Sequence, residues 1–510
     1  MEQEVPTSWA VCELDDVLLK MSNGANVTQY EKRVGYPICR IETIWSEGID
    51  LGRVKYIKEN DPEFVEKYAL QYGDILLSHI NSDSHLGKTG LFKKQVETLI
   101  HGINILLLRP VENISPDFLN YQLKHLRAKG VFIDAAQRAV NQSSINQKKL
   151  KSFRVFIAPL AEQHRIVAKI EELFSDLDKG IENLKAARAQ LKVYRQALLK
   201  HAFEGKLTAQ WRAENQDKLE TADALLKRIQ QERAQRYQQQ LADWEASGKQ
   251  GSKPKAPKPL PPLTAEELAE LPELPEGWGW TRLLETCEAV VDCHNKTAPY
   301  QATGIPLVRT PSIRDMKLNF DDSIRYVSQE TYEYWSRRCP PLPGDILFTR
   351  EAPMGEAALI PEGKMVCMGQ RIMLLRPGKF LSGKYLLSAT QNPIFKRVAN
   401  KVAVGTGVKH LRVGDVEKLV FPLCSVSEQT EISNQLEACL SEADQLDQTL
   451  TTALQQAEAL RQSILKKAFA GLLVPQDPHD EPASALLARI QEARAVNKAI
   501  TQPRRVKIHA

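Results

Sequence analysis

The chain has 510 residues, which is too long for one hydrophobic core and predicts about three domains. Hydrophobic residues make up 43% and charged residues 26% of it, with 68 Lys and Arg against 63 Asp and Glu, a formal net charge of +5. This composition is that of a folded globular protein and excludes a disordered chain, while so mild a charge excess does not select a partner.

The cysteines and the N-terminal segment bear on the cellular compartment. The eight cysteines form no Cys-x-x-Cys pair, and Cys287, Cys293 and His294 lack the spacing of a zinc site, so we predict free buried thiols. The segment MEQEVPTSWA has no apolar signal core, and no apolar run approaches the roughly 20 residues that span a bilayer. We therefore expect a cytoplasmic or nucleoid-associated protein.

The first 155 residues predict a mixed α/β domain rich in short strands. Apolar runs of strand length begin at Tyr36 (YPICRI), Gly73 (GDILLS) and Ile103 (INILLLRP). Gly, Pro and Asn punctuate these runs, as is typical of turns between strands.

Residues 156–246 predict a long helix followed by further helical sequence. From Ile166 to Ala202 apolar residues recur at alternating steps of four and three, the spacing of a heptad seam that requires a partner. A single amphipathic helix lying on a core remains an alternative. Residues 247–272 form a linker, because SGKQGSKPKAPKPLPPL at 247–263 has four lysines, five prolines and no acidic residue. We expect a solvated connector, with DNA contact as the alternative.

The second half of the chain repeats the first. Glu162–Gln163 recurs as Glu428–Gln429 and Tyr194 as Leu460, both at an offset of 266 residues, and the seam recurs from Ile432 to Ala468 with every position apolar. GDIL at 73–76 and LLRP at 107–110 recur at 344–347 and 374–377. The second copy divides into a strand-rich domain at 273–421 and a helical part at 422–510. We predict an α+β fold in which two pseudo-repeated α/β domains are joined by two long antiparallel coiled-coil helices.

This organisation resembles the specificity subunits of type I restriction–modification systems. The resemblance rests on LPEGWGW at 274–280, the two GDIL segments, PLAEQ at 159–163, AFEGKLTAQWRAEN at 202–215 and KKAFAGLL at 466–473. It implies that 1–155 and 273–421 are target-recognition domains, each reading one part of a bipartite site in double-stranded DNA. It also implies that the helices set the spacing and dock two methyltransferase subunits, onto which motor–nuclease subunits assemble. PLCSVSEQ at 422–429 and GLLVPQDPHD at 471–480 depart from the first copy, so the second copy is expected to dock its partner differently.

No motif predicts catalysis in the chain itself. HLGKT at 85–89 ends like a phosphate-binding loop, but Ser82 stands where the leading glycine belongs. Asn392–Phe395 lacks the second proline of an adenine-methyltransferase motif, and no dinucleotide-binding turn, HExxH or Gly-x-Ser-x-Gly motif occurs. We expect S-adenosylmethionine, ATP and Mg²⁺ to be bound by partner subunits alone.

Residues identical in both copies cannot distinguish two different half-sites, so specificity is expected where the copies diverge in polar residues. This filter assigns the GDIL segments and the pairs Arg40/Arg309 and Arg109/Arg376 to the framework or to phosphate contacts. The first divergent segment follows GDIL, with candidates His79, Asn81, Ser82, Ser84, His85 and Lys88 in the first copy and Arg350, Glu351 and Met354 in the second. The second precedes the closing helix, with Asn141, Gln142 and Ser143 against Thr406, Lys409, His410 and Arg412. The third is a strand entry, with Asn104 against Gln370 and Arg371.

Two alternatives remain open at this point. The polar loops could be ordinary hydrophilic surface, and the chain could be a coiled-coil scaffold whose β-rich domains bind protein. Arg, Asn and acidic side chains in these loops favour DNA, because they match the hydrogen-bonding edges of guanine, adenine and cytosine.

Overall fold

A computed structural model describes residues 5–45, 48–59, 61–94, 96–139, 142–294, 296–321 and 323–501, with the side chains of 139, 142 and 497–501 left out. Contacts divide the chain into unit 1, which comprises Met1–Lys185 and Thr451–Ala510, and unit 2, which comprises Ala186–Leu450.

The strands in chain order are β1 (Ala10–Glu13), β2 (Leu18–Asn23), β3 (Tyr36–Cys39), β4 (Ile44–Trp45), β5 (Gly48–Ile49), β6 (Lys55–Ile57), β7 (Ile75–Ser78), β8 (Ile80–Asn81), β9 (Thr89–Leu91), β10 (Ile100–His101), β11 (Ile105–Pro110), β12 (Gln137–Ala139), β13 (Gln142–Ser144), β14 (Arg154–Ile157), β15 (Gly279–Arg282), β16 (Cys287–Asp292), β17 (Ile305–Val308), β18 (Ile313–Arg314), β19 (Lys317–Leu318), β20 (Arg325–Val327), β21 (Ile346–Thr349), β22 (Ala357–Leu359), β23 (Cys367–Met368), β24 (Ile372–Pro377) and β25 (Val420–Leu423).

The helices are α1 (Pro62–Tyr68), α2 (Pro116–Ala128), α3 (Val131–Asp134), α4 (Gln147–Lys151), α5 (Leu160–Phe203), α6 (Ala209–Glu214), α7 (Ala222–Ala246), α8 (Ala265–Ala269), α9 (Leu283–Thr286), α10 (Gln329–Ser336), α11 (Gly383–Gln391), α12 (Pro393–Val402), α13 (Val413–Glu417), α14 (Val426–Ala468) and α15 (Ala483–Thr501). Single 3₁₀ turns span Leu14–Val17, Ile41–Thr43, Leu51–Arg53, Gln216–Lys218 and Thr310–Ser312.

The two units contain the same pair of sheets. In unit 1 a four-stranded antiparallel sheet has the order β2-β11-β7-β9, and a three-stranded sheet has the order β10-β3-β6 with β10 parallel to β3. In unit 2 the corresponding orders are β16-β24-β21-β22 and β20-β17-β23, with β17 parallel to β23. The predicted strands of both strand-rich domains are confirmed, and all four residues of β7 and of β21 are buried.

The GDIL and LLRP segments meet through an ion pair in each unit. Asp74 accepts from Nε and Nη2 of Arg109 at 2.7 and 2.8 Å, and Asp345 accepts from the same atoms of Arg376 at 2.8 and 2.7 Å. Gly73, which precedes Asp74, has φ +88°, a backbone conformation that favours glycine. These contacts place both arginines in the framework, as the sequence predicted.

The Glu–Gln pair that begins each long helix connects that helix to the strand-rich part of its unit. In unit 1 buried Glu162 accepts from Trp9 Nε1 at 3.0 Å, and in unit 2 buried Glu428 accepts from Trp278 Nε1 at 2.9 Å. The Gln163 side chain accepts from the backbone N–H of Ser115, the N-cap of α2, at 2.9 Å. Gln429 does the same for Ser382, the N-cap of α11, at 2.9 Å. A helix end has free N–H groups, so these glutamines complete the capping of α2 and α11.

Helices α5 and α14 run antiparallel, which confirms the prediction. In unit 2 Arg188 Nε lies 2.9 Å from Asp447, and about two turns further along α5 Arg195 Nη1 lies 2.6 Å from Asp444. The residue number rises along α5 while it falls along α14, as in an antiparallel pair. In unit 1 Arg461 contacts Asp178, and a buried cluster joins α5 to α14. Its members on the two helices are Ile166, Ile170 and Phe174 with Ile464, Leu465 and Ala468.

Burial along the predicted seam is uneven. Ile166, Ile170, Ile432 and Leu436 are fully buried, whereas Tyr194, Leu446 and Leu460 keep about half of their surface exposed. The strand-rich parts cover the ends of the helices, but a two-helix pair alone covers only part of each apolar stripe in the middle.

The shorter helices α7 and α15 complete the cores of different units. Leu225 and Ile229 of α7 lie in the core of unit 2, and Leu486 and Ile490 of α15 lie in the core of unit 1. The prediction of helical sequence there is confirmed, and the predicted spacer segment 156–246 contains the whole of α5 together with α7. Residues 251–263 contain no helix or strand, and Lys258 lies 2.5 Å from Glu417 in unit 2. All eight cysteines are free.

Candidate nucleic-acid interface

The three divergent segments of the first copy converge in unit 1. Asn81 on β8 pairs with Ser143 on β13, and the backbone N–H of Ile145 donates to the carbonyl of His79 at 2.9 Å. Ser78 of β7 pairs with Ile105 of β11 in antiparallel register, so that His79 and Asn104, the next residues along, lie next to each other. The segment after GDIL, the segment before the closing helix and the strand entry are therefore neighbours.

The same three segments converge in unit 2. Glu351 forms an isolated antiparallel bridge with His410, and the backbone N–H of Leu411 donates to the carbonyl of Arg350 at 3.0 Å. The backbone N–H of Arg350 donates to the carbonyl of Arg371 at 2.8 Å. The framework thus brings non-identical polar side chains to one place in each unit.

A polar cavity of about 240 Å³ lies at this place in unit 1. It opens where the parallel strands β3 and β10 end side by side, and it is also lined by β8. The polar side chains of its lining are Gln29, Arg40, Glu42, Asn81 and Asn104. The sequence predicts two of these, Asn81 and Asn104, as DNA contacts, whereas it assigns Arg40 to the framework or to phosphate contacts and does not single out the other two.

Glycine is required beside this cavity and at the matching place in unit 2. A Cβ on Gly102 would lie 2.6 Å from the carbonyl oxygen of Cys39, and a Cβ on Gly369 would lie 2.7 Å from that of Val308. A backbone carbonyl cannot move aside as a flexible side chain can, so any residue with a Cβ would clash at either position. The side chains that follow, Asn104 and Arg371, are exposed.

The predicted loop after β8 is fixed by hydrogen bonds from Arg127 of α2 and by hydrogen bonds within the loop. Arg127 donates through Nε to the carbonyl of Leu86 at 3.0 Å and through Nη2 to that of Ser84 at 2.8 Å. Lys88 Nζ lies 3.1 Å from His85 Nδ1, and burial, followed by the charge of Lys88, lowers the pKa of His85. Ser82 and Ser84 are exposed and hydrogen-bonded to each other through their hydroxyls at 3.0 Å. Such a loop is available to a ligand at its hydroxyls and backbone.

Three of the predicted residues lie mainly inside the fold. The side chain of His79 is buried, and this burial lowers its pKa to about 4. Ser143 is also buried, and its hydroxyl donates to the carboxylate of Asp83. Met354 is half-buried and packs against the core of unit 2. Asn141 lies outside the described residues, and Gln142 is described only through its backbone in β13.

The remaining predicted residues of unit 2 are at its surface or half-buried. Gln370 donates through Nε2 to Thr297 Oγ1 at 3.2 Å. His410 is half-buried, and the exposed residues around it are Thr406, Lys409 and Arg412.

Gln29, Arg40 and Glu42 are the cavity residues that sequence reasoning missed. Arg40 was set aside because Arg309 matches it in the repeat, but Arg309 Nη2 donates to the carbonyl of Ser323 at 3.1 Å, whereas Arg40 Nη2 donates to Glu42 at 3.2 Å. Glu42 corresponds to Pro311, and this difference is the one signal that could have shown that the two arginines have different surroundings.

The described residues form neither a metal-ligand cluster nor a helix that could span a membrane. In the ranges given above, no three His, Cys, Asp or Glu side chains lie together as metal ligands would. No helix in that part of the chain combines the length and the apolar character needed to cross a bilayer.

Comparison with known proteins identifies the family. The model of the type I restriction modification DNA specificity domain matches the chain twice, at residues 6–186 and 275–456, which together make up more than half of it. The chain belongs to this family. Each match of the specificity-domain model includes one strand-rich domain and the first part of the long helix that follows.

Individual members of the specificity-domain family match part of the chain. A protein of Methanocaldococcus jannaschii assigned as the type I restriction enzyme MjaX specificity subunit is 41% identical over 204 residues, which cover 39% of this chain and 48% of that protein. The type I restriction enzyme EcoKI specificity subunit of Escherichia coli is 30% identical over 225 residues, covering 43% and 48%. The aligned stretches thus span about half the length of these curated relatives.

The fold is also that of a solved structure. A chain from a study of complex assembly and conformational transition of the type I R-M system superposes with a TM-score of 0.62 at 17% sequence identity. The match covers 92% of this chain and 99% of that chain. At this identity the likeness concerns the fold.

Proposed function

We propose that the chain is the DNA-recognition subunit of a type I restriction–modification complex and that each unit reads one part of a bipartite site in double-stranded DNA. The observation that carries this proposal is the convergence of the same three segments in both units, with different polar side chains at the same place. A common framework with different side chains is what reading two different half-sites requires. On this view residues 1–155 and 273–421 are the target-recognition domains, 156–246 and 422–510 the helical spacers and 247–272 the linker.

The residues proposed to contact DNA are those whose side chains reach the surface. In unit 1 they are Asn81, Ser82, Ser84, His85, Lys88 and Asn104. In unit 2 they are Arg350, Glu351, Gln370, Arg371, Thr406, Lys409, His410 and Arg412. We propose that three further residues hold these contact residues in position without touching DNA, since their side chains are buried or packed against the core: His79, Ser143 and Met354.

Catalysis is assigned to other subunits. We propose that α5 and α14 dock two methyltransferase subunits and that motor–nuclease subunits assemble on these. S-adenosylmethionine, ATP and Mg²⁺ would then be bound by the partners, in the cytoplasm where the DNA is. The purified chain, supplied with a methyl donor or with ATP and Mg²⁺, is expected to show no turnover.

A domain exchange tests the assignment of one half-site to each unit. The chain is expressed with its modification subunits, and methylated bases are mapped by single-molecule sequencing. Replacing residues 273–421 with the corresponding segment of a relative of different specificity should change one part of the methylated motif and leave the other intact. If both parts changed, or neither, the assignment would be wrong.

A binding measurement separates DNA recognition from a protein-binding scaffold. The affinity of the chain with its modification subunits for duplex DNA should fall steeply with salt, because Lys and Arg that contact phosphates release counterions. An affinity for DNA that does not depend on salt, or no binding at all, would favour the scaffold.

A further inference from the structure

In each unit an arginine contacts a glutamate at the convergence of the three segments, and both side chains are partly exposed. In unit 1 Arg40 Nη2 lies 3.2 Å from Glu42 Oε1, with the side chains 34% and 54% exposed. In unit 2 Arg371 Nε lies 3.3 Å from Glu351 Oε2, with the side chains 52% and 26% exposed. Both pairs therefore face solvent at the edge where a parallel strand pair ends.

The two pairs are built from different positions of the repeat. Arg40 follows β3, the first strand of its parallel pair, whereas Arg371 follows β23, the second strand. The counterpart of Arg371 in unit 1 is Asn104, and the counterpart of Arg40 in unit 2 is Arg309, which binds the carbonyl of Ser323 instead. Because non-equivalent residues form the pair, common descent of the two copies does not account for its presence in both units.

Stability does not account for the pairs either. Exposed ion pairs contribute little to folding, because solvent screens them and both side chains lose conformational freedom. Arg371 also has φ +69°, a left-handed conformation that residues other than glycine rarely adopt. Backbone strain of this kind is found where the position of a side chain matters for function.

A tethered arginine has the geometry of a base-reading group. The guanidinium is planar and has five N–H donors, so a contact with one carboxylate oxygen leaves an edge with two parallel donors. Two such donors match the O6 and N7 acceptors of guanine in the major groove. The glutamate limits the rotation of the side chain and so reduces the entropy lost when the base binds.

We propose that Arg40 and Arg371 each recognise a guanine, one in each part of the bipartite site, and that Glu42 and Glu351 orient them. The proposal rests on the function proposed above and names its specificity-determining residues. Arg40 thereby passes from the framework to the reading surface, next to the amides of Asn81 and Asn104 in the same cavity.

The test uses the chain assembled with its modification subunits. Methylated bases are mapped for the wild type, Arg40→Lys, Arg371→Lys, Glu42→Gln and Glu351→Gln. Lysine keeps the positive charge and the phosphate contacts but cannot bind guanine with two parallel donors. Arg489→Lys is the matched control, since Arg489 of α15 forms an exposed pair with Glu481 and belongs to none of the three segments.

We expect each lysine variant to relax one G·C position in one part of the motif. The loss of discrimination should be about 5- to 150-fold, the range given by about 1–3 kcal/mol for a bidentate contact. Each glutamine variant should relax the same position as its lysine partner, and the control should leave the motif unchanged. If one variant no longer assembles with the modification subunits, the motif of the other variant of the same pair provides the test.

Different results would overturn different claims. If the wild type yields a bipartite motif and the lysine variants only lower the affinity equally for all sequences, both arginines contact phosphate and the inference is wrong while the proposed function stands. The same holds if the motif has no G·C pair in one of its parts. If the assembled wild type methylates no bipartite motif, the proposed function itself is refuted.

Discussion

Glu162 and Glu428 occupy the same place in the repeat, but different side chains bind them. Glu162 accepts from the neutral donors of Trp9 and Gln476, at 3.0 and 2.6 Å. Glu428 accepts from Trp278 and from Arg212 Nε, the latter at 2.8 Å, and Arg212 keeps 17% of its side chain exposed. One carboxylate thus compensates a largely buried positive charge and the other does not.

We predict that Glu428→Ala costs more stability than Glu162→Ala. The first leaves a largely buried guanidinium without its carboxylate, at about 3–5 kcal/mol, and the second leaves neutral donors unpaired, at about 1–3 kcal/mol. Urea unfolding of the two variants, each beside its glutamine counterpart, measures the difference. Equal losses would mean that Arg212 finds another acceptor.

Two buried histidines should make the stability of unit 1 sensitive to acid. Burial lowers the pKa of both His79 and His125 from 6.5 to about 4. The unfolded chain takes up these protons below pH 6.5 and the folded chain does not, so stability falls as the pH drops from about 6.5 to about 4. Each residue should contribute a loss of up to about 3 kcal/mol.

The substitution His125→Gln tests this pH dependence. It removes one titrating group, so the free energy of unfolding should fall less steeply with acid than in the wild type between pH 6.5 and pH 4. The quantity compared is the slope of the unfolding free energy against pH. The absolute stability is not compared, because the substitution also removes the stacking of His125 on Phe469, whose ring centroids lie 5.5 Å apart. Identical slopes would contradict the prediction.

At the scale of the elements, α5 and α14 carry a continuous apolar stripe that is unevenly covered. Ile432 is completely buried, whereas Leu446, two heptads further along the same stripe, is 56% exposed. The two positions are therefore equivalent in sequence pattern and different in packing.

We predict that Ile432→Ala costs about 2–5 kcal/mol and Leu446→Ala no more than about 0.5 kcal/mol in the isolated chain. Thermal or urea unfolding of both variants measures this contrast. A large loss at Leu446 would mean that the middle of the stripe is covered in solution.

The repeat explains how much of the fold the sequence predicts. A heptad stripe over some 40 residues and two copies of GDIL specify helices and strands that the structure confirms, because both patterns follow from the periodicity of buried side chains. Convergence of the three divergent segments depends on strand pairing between residues far apart, such as Asn81 with Ser143, which no local pattern encodes. The match of Arg40 with Arg309 in the repeat likewise hides their different surroundings, for which the replacement of Glu42 by Pro311 is the one local sign.

At the scale of the whole chain, each unit is completed by a shorter helix that follows the other copy of the repeat. Helix α7 follows the first copy but packs in unit 2, and α15 follows the second copy but packs in unit 1. The backbone confirms this exchange, since the N–H of Ala222 donates to Gly277 and that of Ala483 to Ser8, at 2.8 and 2.9 Å.

We predict that core substitutions in α7 and in α15 destabilise different units. Leu225→Ala should speed hydrogen exchange of the strands of unit 2, and Leu486→Ala that of β1 and β14 in unit 1, because each leucine is fully buried in the core of its unit. Hydrogen exchange of both variants, with each unit serving as the control for the other, measures this. Faster exchange in the same unit for both variants would contradict the packing.

The packing of α7 in unit 2 and of α15 in unit 1 has a consequence for biosynthesis. Unit 2 consists of one continuous stretch, Ala186–Leu450, and can close as soon as that stretch has left the ribosome. Unit 1, although its strands are translated first, has to wait for α15, which is translated after the whole of unit 2. Until then the core that Leu14 and Leu150 share with Leu486 is incompletely covered, and this part of the nascent chain is open to chaperones and aggregation.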